Sequence, residues 1–387
     1  MDKQKKARVI AFYLPQFHPI PENDDVWGKG FTEWTNMAKA KPLFRGHVQP
    51  HIPADLGFYD LRMPEVREQQ TALAKEAGIE GFCYWHYWFG NGKTLMQDIF
   101  DDVVKSGKPD FPFCVGWANH SWSTKTWTEG KTFQKDKMIV EQTYPGEEDN
   151  RSHFYSLLDA FKDERYIKVD GKPLFLIYDS MGLPNAPIFF DLWNKLAIKE
   201  GLKGFHFVGV SDNISLSMRS MDKKSINIKS TTREIFDVVL SKGFDAVNSR
   251  GYLLAQTRAT SKMSMYVKQC LSKFLKMQFV KKYDYKKVSK LLFTEEDKAE
   301  NVYPTIIPNW DRSPRSGKNA YIWYNYNPKY FQKQVEQAIE LIKNKQEEHR
   351  LLFLMSWNEW GEGNYMEPDL EYGHGYIKAL KNALEGY

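Results

Sequence analysis

Short apolar runs alternate with segments of helical periodicity along most of the chain. The runs have the length of buried β-strands, and amphipathic stretches lie between most of them. We therefore predict eight strands. They are residues 9–14, 81–85, 111–117, 174–178, 205–210, 244–248, 302–307 and 351–357.

Two of the helical segments carry clear start and stop signals. The first begins at Pro64, a residue favoured in the first helical turn, and ends before Gly78. The second ends before Gly107. The apolar residues that share one face are Val66, Leu73, Ala74 and Ala77 in the first segment, and Leu95, Ile99, Phe100 and Val103 in the second.

Eight near-continuous apolar strands with helices between them favour a closed barrel. Crossover helices bury a parallel sheet on its faces, so its strands are apolar throughout. We predict an α/β fold, a (β/α)8 TIM barrel with loop and helical insertions. The alternative is an open doubly wound sheet, but residues 14–19 lack the glycine-rich turn that often follows the first strand of such sheets.

The length of the chain allows a single large domain. TIM barrels run from about 200 to more than 400 residues, and this chain has 387. We predict one catalytic barrel domain over residues 1–387. Two stretches, about 213–231 and 252–301, break the alternation of strands and helices and are predicted to be insertions.

Composition argues for a globular protein and gives little support to nucleic-acid binding. The chain is 42% hydrophobic and 27% charged, with a formal net charge of +5. No apolar stretch reaches the roughly 18 residues of a membrane span, and the first apolar run is too short for a signal peptide. Cys83, Cys114 and Cys270 are predicted to be buried free thiols, not a disulfide, which favours a cytoplasmic location.

Two glutamates that follow the last predicted strand are the candidate catalytic pair. Glu359 and Glu362 lie in the segment Asn-Glu-Trp-Gly-Glu-Gly at residues 358–363. Carboxylates close together in a partly apolar site cannot both ionise freely, so one can serve as acid and the other as base. Glycosidic bond cleavage uses such a pair. Most glutamates at this spacing only decorate an exposed helix, but the flanking tryptophans and glycines favour a site.

Aromatic and polar residues follow several other predicted strands, at the end where TIM barrels place their active sites. Sugars present apolar faces and hydroxyl edges, which suit aromatic rings and short polar side chains. Each tryptophan has an alternative role in the core, and the glutamate and histidines have one in structural hydrogen bonds. The candidate substrate-binding residues are Tyr13, Glu33, Trp85, His86, Trp117, Asn119, His120, Tyr178, Trp310, Trp357, Asn358 and Trp360.

Five blocks of sequence carry a family resemblance. They are Ala-Phe-Tyr-Leu-Pro-Gln-Phe-His at 11–18, the segments 27–36 and 49–60, Gly-Phe-Cys-Tyr-Trp-His-Tyr-Trp at 81–88, and residues 358–363. These blocks resemble the WbsX family, which is similar to family-99 glycoside hydrolases and is associated with bacterial O-antigen and capsule gene clusters. The resemblance covers nearly the whole chain.

The resemblance implies a TIM barrel that acts on α-mannosides with retention, as endo-α-mannosidases do. It implies Glu359 as the base that deprotonates the substrate 2-hydroxyl, giving an anhydro-sugar intermediate, and Glu362 as the acid. It implies no metal or organic cofactor, and the histidines and cysteines show no paired ligand spacing. The chain departs from these hydrolases at Gly361, where they often carry His, and at His120, where many relatives are acidic.

The predicted function is cleavage or transfer of glycosidic bonds in bacterial surface polysaccharide. A cytoplasmic location is compatible with transfer, in which an acceptor hydroxyl takes the place of water, and the sequence leaves hydrolysis and transfer open. Two other classes stay open at this point. One is a nucleotide-sugar glycosyltransferase, although the chain lacks the Asp-x-Asp motif common in that class; the other is a non-catalytic glycan-binding protein.

A basic stretch lies within the second predicted insertion. Residues 262–290 hold nine lysines and one aspartate, interleaved with methionine, aromatic and aliphatic residues. Such an amphipathic helix either packs its apolar face on the barrel or lies on an anionic membrane surface, where lipid-linked glycans are assembled. Peripheral contact with the inner membrane is thus one of two predictions for this segment.

Overall fold

Eight parallel strands form a closed barrel in the computed structural model, which describes residues 6–123, 138–211, 232–260 and 280–386. Each barrel strand pairs with the next along the chain, and the first pairs with both the second and the last. The strands are β1 (Arg8–Tyr13), β2 (Gly81–Trp88), β3 (Phe113–Trp117), β4 (Lys172–Ile177), β5 (His206–Val210), β6 (Ala246–Ser249), β7 (Val302–Ile306) and β8 (Leu351–Leu354).

Closure leaves the barrel without a free sheet edge. Ile10 of β1 lies opposite Gly81 of β2, and Arg8 of β1 lies opposite Leu351 of β8. The predicted TIM barrel is therefore confirmed, and the open doubly wound sheet is wrong. The last strand ends at Leu354, before the predicted residue 357, and the chain then leaves the barrel wall.

Helices connect the barrel strands. Among the described residues the α-helices are α1 (Pro21–Trp27), α2 (Glu33–Lys39), α3 (Pro64–Ala77), α4 (Gln97–Ser106), α5 (Glu147–Ser156), α6 (Leu158–Lys162), α7 (Ala186–Lys199), α8 (Thr232–Ser241), α9 (Tyr252–Ala259), α10 (Tyr285–Val288), α11 (Ser313–Ser316), α12 (Pro328–Ile342) and α13 (Gly375–Glu385). Short 3-10 helices span Ser289–Leu291, Glu295–Lys298, Gly317–Asn319, Glu347–His349 and Trp360–Glu362. Short strands outside the barrel span Thr94–Leu95, Trp122–Ser123, Met138–Val140, Lys168–Val169, Lys281–Asp284, Tyr321–Tyr324, Asn358–Glu359 and Asn364–Tyr365.

The two helices predicted from their end signals are present. Helix α3 begins at Pro64 and ends at Gly78, which has a left-handed φ of 85°. Helix α4 is shorter than its predicted apolar face, because Leu95 pairs in an antiparallel bridge with Tyr87 at the end of β2. The helix therefore begins only at Gln97.

The core is continuous through the barrel and the helices around it. Every residue of β3, β5, β7 and β8 is buried. Cys83 and Cys114 are buried free thiols, as predicted, and Cys270 lies outside the described residues. None of the helices described is long and apolar enough to cross a membrane.

The first predicted insertion and the central part of the second fall outside the described part of the chain. The structure does not describe residues 212–231, which contain the first insertion, or residues 261–279 of the second. The described end of the second insertion forms strand Lys281–Asp284, which pairs in parallel with Tyr321–Tyr324. Both predictions for the basic segment 262–290 thus concern residues that mostly lie beyond the description.

Candidate active site

A cavity of about 230 Å³ opens at the carboxyl-terminal mouth of the barrel. Residues that follow the ends of most barrel strands line it, which is where TIM barrels carry their active sites. Six of the residues predicted for the site line this cavity. They are Glu359, Glu362, Trp85, His120, Tyr178 and Trp310.

Glu359 and Glu362 lie in a tight loop directly after β8. Strand Asn358–Glu359 pairs with Asn364–Tyr365, and the 3-10 turn Trp360–Glu362 connects the two. Gly363 ends the turn with a φ of 59°, a left-handed conformation that glycine adopts without strain. This loop brings both carboxylates to one cavity.

A single arginine contacts both carboxylates. Nη1 of Arg315 donates to Oε1 of Glu359 at 3.0 Å and to Oε1 of Glu362 at 2.6 Å. The two oxygens therefore cannot be farther apart than the sum of these distances. The pair is close enough to act on one substrate bond.

Each glutamate also has a partner of its own. Oε1 of Glu362 lies 3.0 Å from Nη2 of Arg312, and its Oε2 accepts from Nε1 of Trp310 at 3.3 Å. Ser356 donates its hydroxyl to Oε2 of Glu359 at 3.2 Å. Glu362 thus contacts two arginines, whereas Glu359 contacts one.

The two carboxyl groups consequently have different proton affinities. Burial raises the pKa of Glu359 to about 7, and the charge of Glu362 adds to the effect while Arg315 opposes it. Burial also raises the pKa of Glu362, but Arg312, Arg315 and the Trp310 hydrogen bond outweigh burial, so the pKa of Glu362 is lowered. Of the two carboxyl groups, Glu359 therefore has the higher pKa.

Glu33 lies behind Arg315 and not on the cavity wall. Its side chain is 0% exposed, and its Oε1 accepts from Nη2 of Arg315 at 2.5 Å. Its Oε2 lies against Gly361, where a Cβ atom would overlap it. Burial raises the pKa of Glu33, although Arg315 opposes the effect. The sequence analysis left two roles open for Glu33, a structural hydrogen bond and contact with a sugar hydroxyl. Its buried position behind Arg315 fits the structural role.

The segment that carries Arg312 and Arg315 is held in place by Asp311. Oδ2 of this buried aspartate accepts from Nε2 of Gln49 at 2.7 Å and lies 2.6 Å from Nε2 of His47. Its Oδ1 accepts the backbone N–H of Ser313 at 2.8 Å. The loop containing residues 47 and 49 thereby positions the start of α11.

Aromatic rings form part of the cavity wall. Trp85 and Tyr178 pack edge to face with ring centroids 5.6 Å apart. The guanidinium of Arg250 lies 5.8 Å from the ring centre of Trp85 and 5.5 Å from that of Tyr178. His120 packs against Tyr178, and burial lowers its pKa. The wall therefore combines flat apolar surface with positive charge.

Four of the predicted substrate contacts support the cavity from beneath and do not line it. Tyr13 donates its hydroxyl to Gln70 at 2.7 Å, and Asn358 bonds the backbone of Leu14 through both side-chain atoms. Trp357 is fully buried in the core. Trp360 stacks on Tyr365 with ring centroids 3.8 Å apart.

Three more predicted contacts are also displaced from the cavity wall. His86 is buried with its Nε2 2.9 Å from that of His153, and Nε1 of Trp117 donates to the backbone oxygen of Trp88. Asn119 accepts the backbone N–H of Asp179 at 2.7 Å. Their side chains bond backbone groups or other side chains, and none of the three lines the cavity.

The arginines of the cavity were not among the predicted site residues. Arg250 directly follows β6, whereas Arg312 and Arg315 lie farther along the loop after β7, so position after a strand is a signal for Arg250 alone. Their contact with the glutamates depends on the fold. Within the described ranges, no cluster of three or more His, Cys, Asp or Glu side chains is arranged to hold a metal ion.

The family model for Glycosyltransferase WbsX matches residues 9–380. The chain belongs to the WbsX family. Two proteins named Uncharacterized protein WxcX, from two strains of Xanthomonas campestris pv. campestris, are 30% identical over 98% of this chain and 50% of their own length. This WbsX chain thus spans about half the length of those curated relatives.

Solved structures share the barrel of this WbsX chain. A glycoside hydrolase-like protein has a TM-score of 0.59 at 16% identity, over 100% of this chain and 96% of its own. The GH99 endo-alpha-mannosidase from Bacteroides thetaiotaomicron has a TM-score of 0.55 at 15% identity, over 98% and 96%. At these identities the likeness establishes the fold.

Proposed function

We propose that this WbsX protein cleaves or transfers glycosidic bonds of a bacterial surface polysaccharide or its precursor. The observation that carries the proposal is the partly buried pair Glu359 and Glu362, which share Arg315 at the mouth of a TIM barrel. Two carboxyl groups of unequal proton affinity are the arrangement that acid–base catalysis at a glycosidic bond needs.

The proposed chemistry uses the substrate as its own nucleophile. One carboxylate removes the proton of the 2-hydroxyl while that oxygen attacks the anomeric carbon, and the bond to the leaving oxygen breaks. The other carboxyl group gives its proton to the leaving oxygen. Water or an acceptor hydroxyl then opens the anhydro-sugar with the proton transfers reversed, so the anomeric configuration is retained. Water gives hydrolysis, and an acceptor gives transfer.

Two indications assign the roles of the glutamates differently. The family resemblance makes Glu359 the base and Glu362 the acid, and this is the assignment we propose. Glu359 has the higher pKa of the two, which favours the reverse assignment as the second candidate. Under the proposed assignment, Glu362 carries the proton when the substrate is bound and gives it to the leaving oxygen.

The substrate we propose is an oligo- or polysaccharide that contains α-mannosides. A lipid-linked form of this substrate would suit membrane contact through residues 262–290. We propose an α-mannoside because the GH99 protein with a similar fold is an endo-alpha-mannosidase. The aromatic surface of Trp85 and Tyr178 supports sugar binding in the cavity. A nucleotide-sugar transferase would instead require nucleotide binding, and a glycan-binding protein would retain its full function without the glutamates.

Incubation with α-mannosyl oligosaccharides, free and lipid-linked, followed by mass spectrometry of the products tests the proposal. Glu359→Gln and Glu362→Gln should each lower turnover by about 100-fold or more while glycan binding persists. The control is Glu340→Gln, at an exposed glutamate on α12. Full turnover in both active-site variants would exclude the pair from the reaction.

A substrate with an activated leaving group separates the two role assignments. An α-mannosyl fluoride needs no proton on its leaving group, so the variant that lacks the acid should consume it, whereas the variant that lacks the base should not. Retained turnover in Glu362→Gln supports the proposed roles. Retained turnover in Glu359→Gln supports the reverse assignment.

A further inference from the structure

We propose that Glu33 and Arg315 are a positioning pair that orients one guanidinium between Glu359 and Glu362 and tunes how readily Glu359 is protonated. This inference rests on the proposed function of Glu359 and Glu362. Neither its geometry nor its first test depends on the identity of the sugar. In this proposal Glu33, which lies outside the cavity, has an electrostatic effect on Glu359 and Glu362, which line it.

Glu33 reaches the cavity only through Arg315. It is the first residue of α2, which packs against both α11 and the turn Trp360–Glu362. Its side chain is fully buried, with one oxygen on Nη2 of Arg315 and the other against Gly361. A bound substrate in the cavity therefore meets the guanidinium and not Glu33.

The guanidinium is oriented by this contact. Nη2 of Arg315 faces Glu33, so Nη1 faces the cavity and contacts Glu359 and Glu362 together. The planar fork of arginine has donors in fixed directions, so holding one nitrogen fixes the other. A lysine would supply the charge at a single point and could not contact three carboxylates in this way.

The charges of the cluster leave one carboxylate short of a cation. Glu33, Glu359 and Glu362 face two guanidinium groups, those of Arg312 and Arg315. Other polar groups that act on the cluster include the hydroxyls of Tyr87 and Ser356, Nε1 of Trp310 and the backbone N–H of Gly361. Glu362 contacts both arginines, and Glu33 contacts Nη2 of Arg315. The negative charge of Glu359 is therefore the least neutralised of the three.

The two partners act on Glu359 in opposite directions. The negative charge of Glu33 raises the pKa of Glu359, and the positive charge of Arg315 lowers it. Glu33→Gln should therefore move the titration of Glu359 to lower pH. Arg315→Gln should move it to higher pH. Simple loss of structure around the loop would not shift the two variants in opposite directions.

Titration of carboxyl-labelled glutamates by 13C NMR measures these shifts without substrate. The signal of Glu359 is identified by its loss in Glu359→Gln. We expect a shift of about one pH unit downward in Glu33→Gln and upward in Arg315→Gln. The control is Arg67→Gln, which removes another buried arginine that is paired with Asp102 and should leave the midpoint unchanged. Shifts in one common direction, or none, would overturn the inference.

Arg315→Lys tests the orienting effect and keeps the cluster charge. Its Glu359 midpoint should stay within about a third of a pH unit of the parent protein, while kcat falls at least tenfold and KM changes little. An unchanged kcat would overturn the orienting role. Circular dichroism checks that each variant folds. If Arg315→Gln does not fold because the arginine charge is lost, Arg315→Lys replaces it as the test.

The two proposals fail in different ways. If no glycoside is turned over but the midpoints of Glu359 shift apart, the positioning pair stands and the proposed function is wrong. If turnover depends on both glutamates but the midpoints do not respond, the reaction stands and the positioning pair is wrong.

Discussion

Gly361 is a position where no side chain fits, because the carboxylate of Glu33 occupies the space. A Cβ atom there would overlap Oε2 of Glu33 and would lie 3.0 Å from Nε of Arg315. The hydrolases that this chain resembles often carry a histidine at the equivalent place. The absence of a side chain at Gly361 therefore makes room for a buried carboxylate under the loop that carries Glu359 and Glu362.

Gly361→Ala should destabilise the protein by about 1–3 kcal/mol, because the added methyl group forces Glu33 away from Arg315. Urea unfolding measures the loss. The control is the same substitution in a Glu33→Ala background, where the overlapping carboxylate is absent. The alanine should cost much less there, and an equal cost in both backgrounds would show that Glu33 is not the cause.

A second buried acid, Glu367, supports the loop from beneath. Its Oε2 accepts from the hydroxyl of Tyr59 at 2.9 Å and from Nε1 of Trp360 at 2.6 Å, and its Oε1 accepts from Gln70 at 2.7 Å. Burial raises the pKa of Glu367 to about 7, and these hydrogen bonds oppose the rise. Trp360 lies between the two active-site glutamates, so Glu367 helps to position both.

The stability contributed by Glu367 should decrease as the pH rises. Its folded-state pKa lies above the roughly 4.3 of an exposed glutamate, so the contribution is complete below about pH 4.3 and is lost towards pH 7. Unfolding free energies of the protein and of Glu367→Gln, measured from pH 4.5 to 8, should converge over this range at about 1.4 kcal/mol per unit. A constant difference would contradict this assignment.

At the scale of elements, the turn from α3 into β2 depends on a glycine. Gly78 has a left-handed φ, and a Cβ atom there would lie 3.0 Å from Leu384 of α13. Helix α13 packs on both α3 and α12. This turn therefore joins the first long helix of the barrel to the last.

Gly78→Ala should lower the free energy of unfolding by more than Gly46→Ala. Both glycines have positive φ values, 85° and 82°, but a Cβ atom at position 46 meets nothing within 4 Å. The control variant therefore carries only the backbone strain, on the order of 1 kcal/mol, whereas the variant at position 78 also crowds Leu384. Equal losses in urea unfolding would show that the contact with α13 contributes nothing.

At the scale of the whole molecule, barrel closure makes the two glutamates a single titrating unit. One loop supplies both carboxylates, and the segments after β1 and β7 supply Glu33 and the two arginines. Strongly interacting groups lose protons in macroscopic steps that belong to the cluster and not to one residue. We therefore expect the activity to depend on how many protons Glu359 and Glu362 bind together.

The pH profile of kcat/KM should have its maximum where the pair holds one proton. The upper limit is near the pKa of Glu359, at about 7, and the lower limit is the lowered pKa of Glu362. Deprotonation above the upper limit removes the acid, and protonation below the lower limit removes the base, whichever glutamate has which role. Steady-state kinetics across pH 3–9 checks this, and activity that keeps rising above pH 8 would contradict it.

The alternation of apolar runs and helical periodicity predicted the barrel, because the spacing of apolar residues in each strand and helix reflects which of its faces are buried. All eight predicted strands are present, and Pro64 and Gly78 mark the ends of α3. The position of Glu359 and Glu362 after the last strand likewise indicated a place at the barrel mouth. These features depend on residues close together in the chain, which local patterns can reveal.

Tertiary structure alone decided which neighbours these residues have. Nothing local in the sequence indicates that Glu33 meets Arg315, because 282 positions separate them. The same holds for Trp117 and Asn119, which follow a strand as predicted but turn into the interior to satisfy backbone groups. Strand order and side-chain direction determine such contacts, and with them the proton affinity of each glutamate. The sequence therefore determined the barrel and the candidate pair, and the folded arrangement decided the charges around that pair.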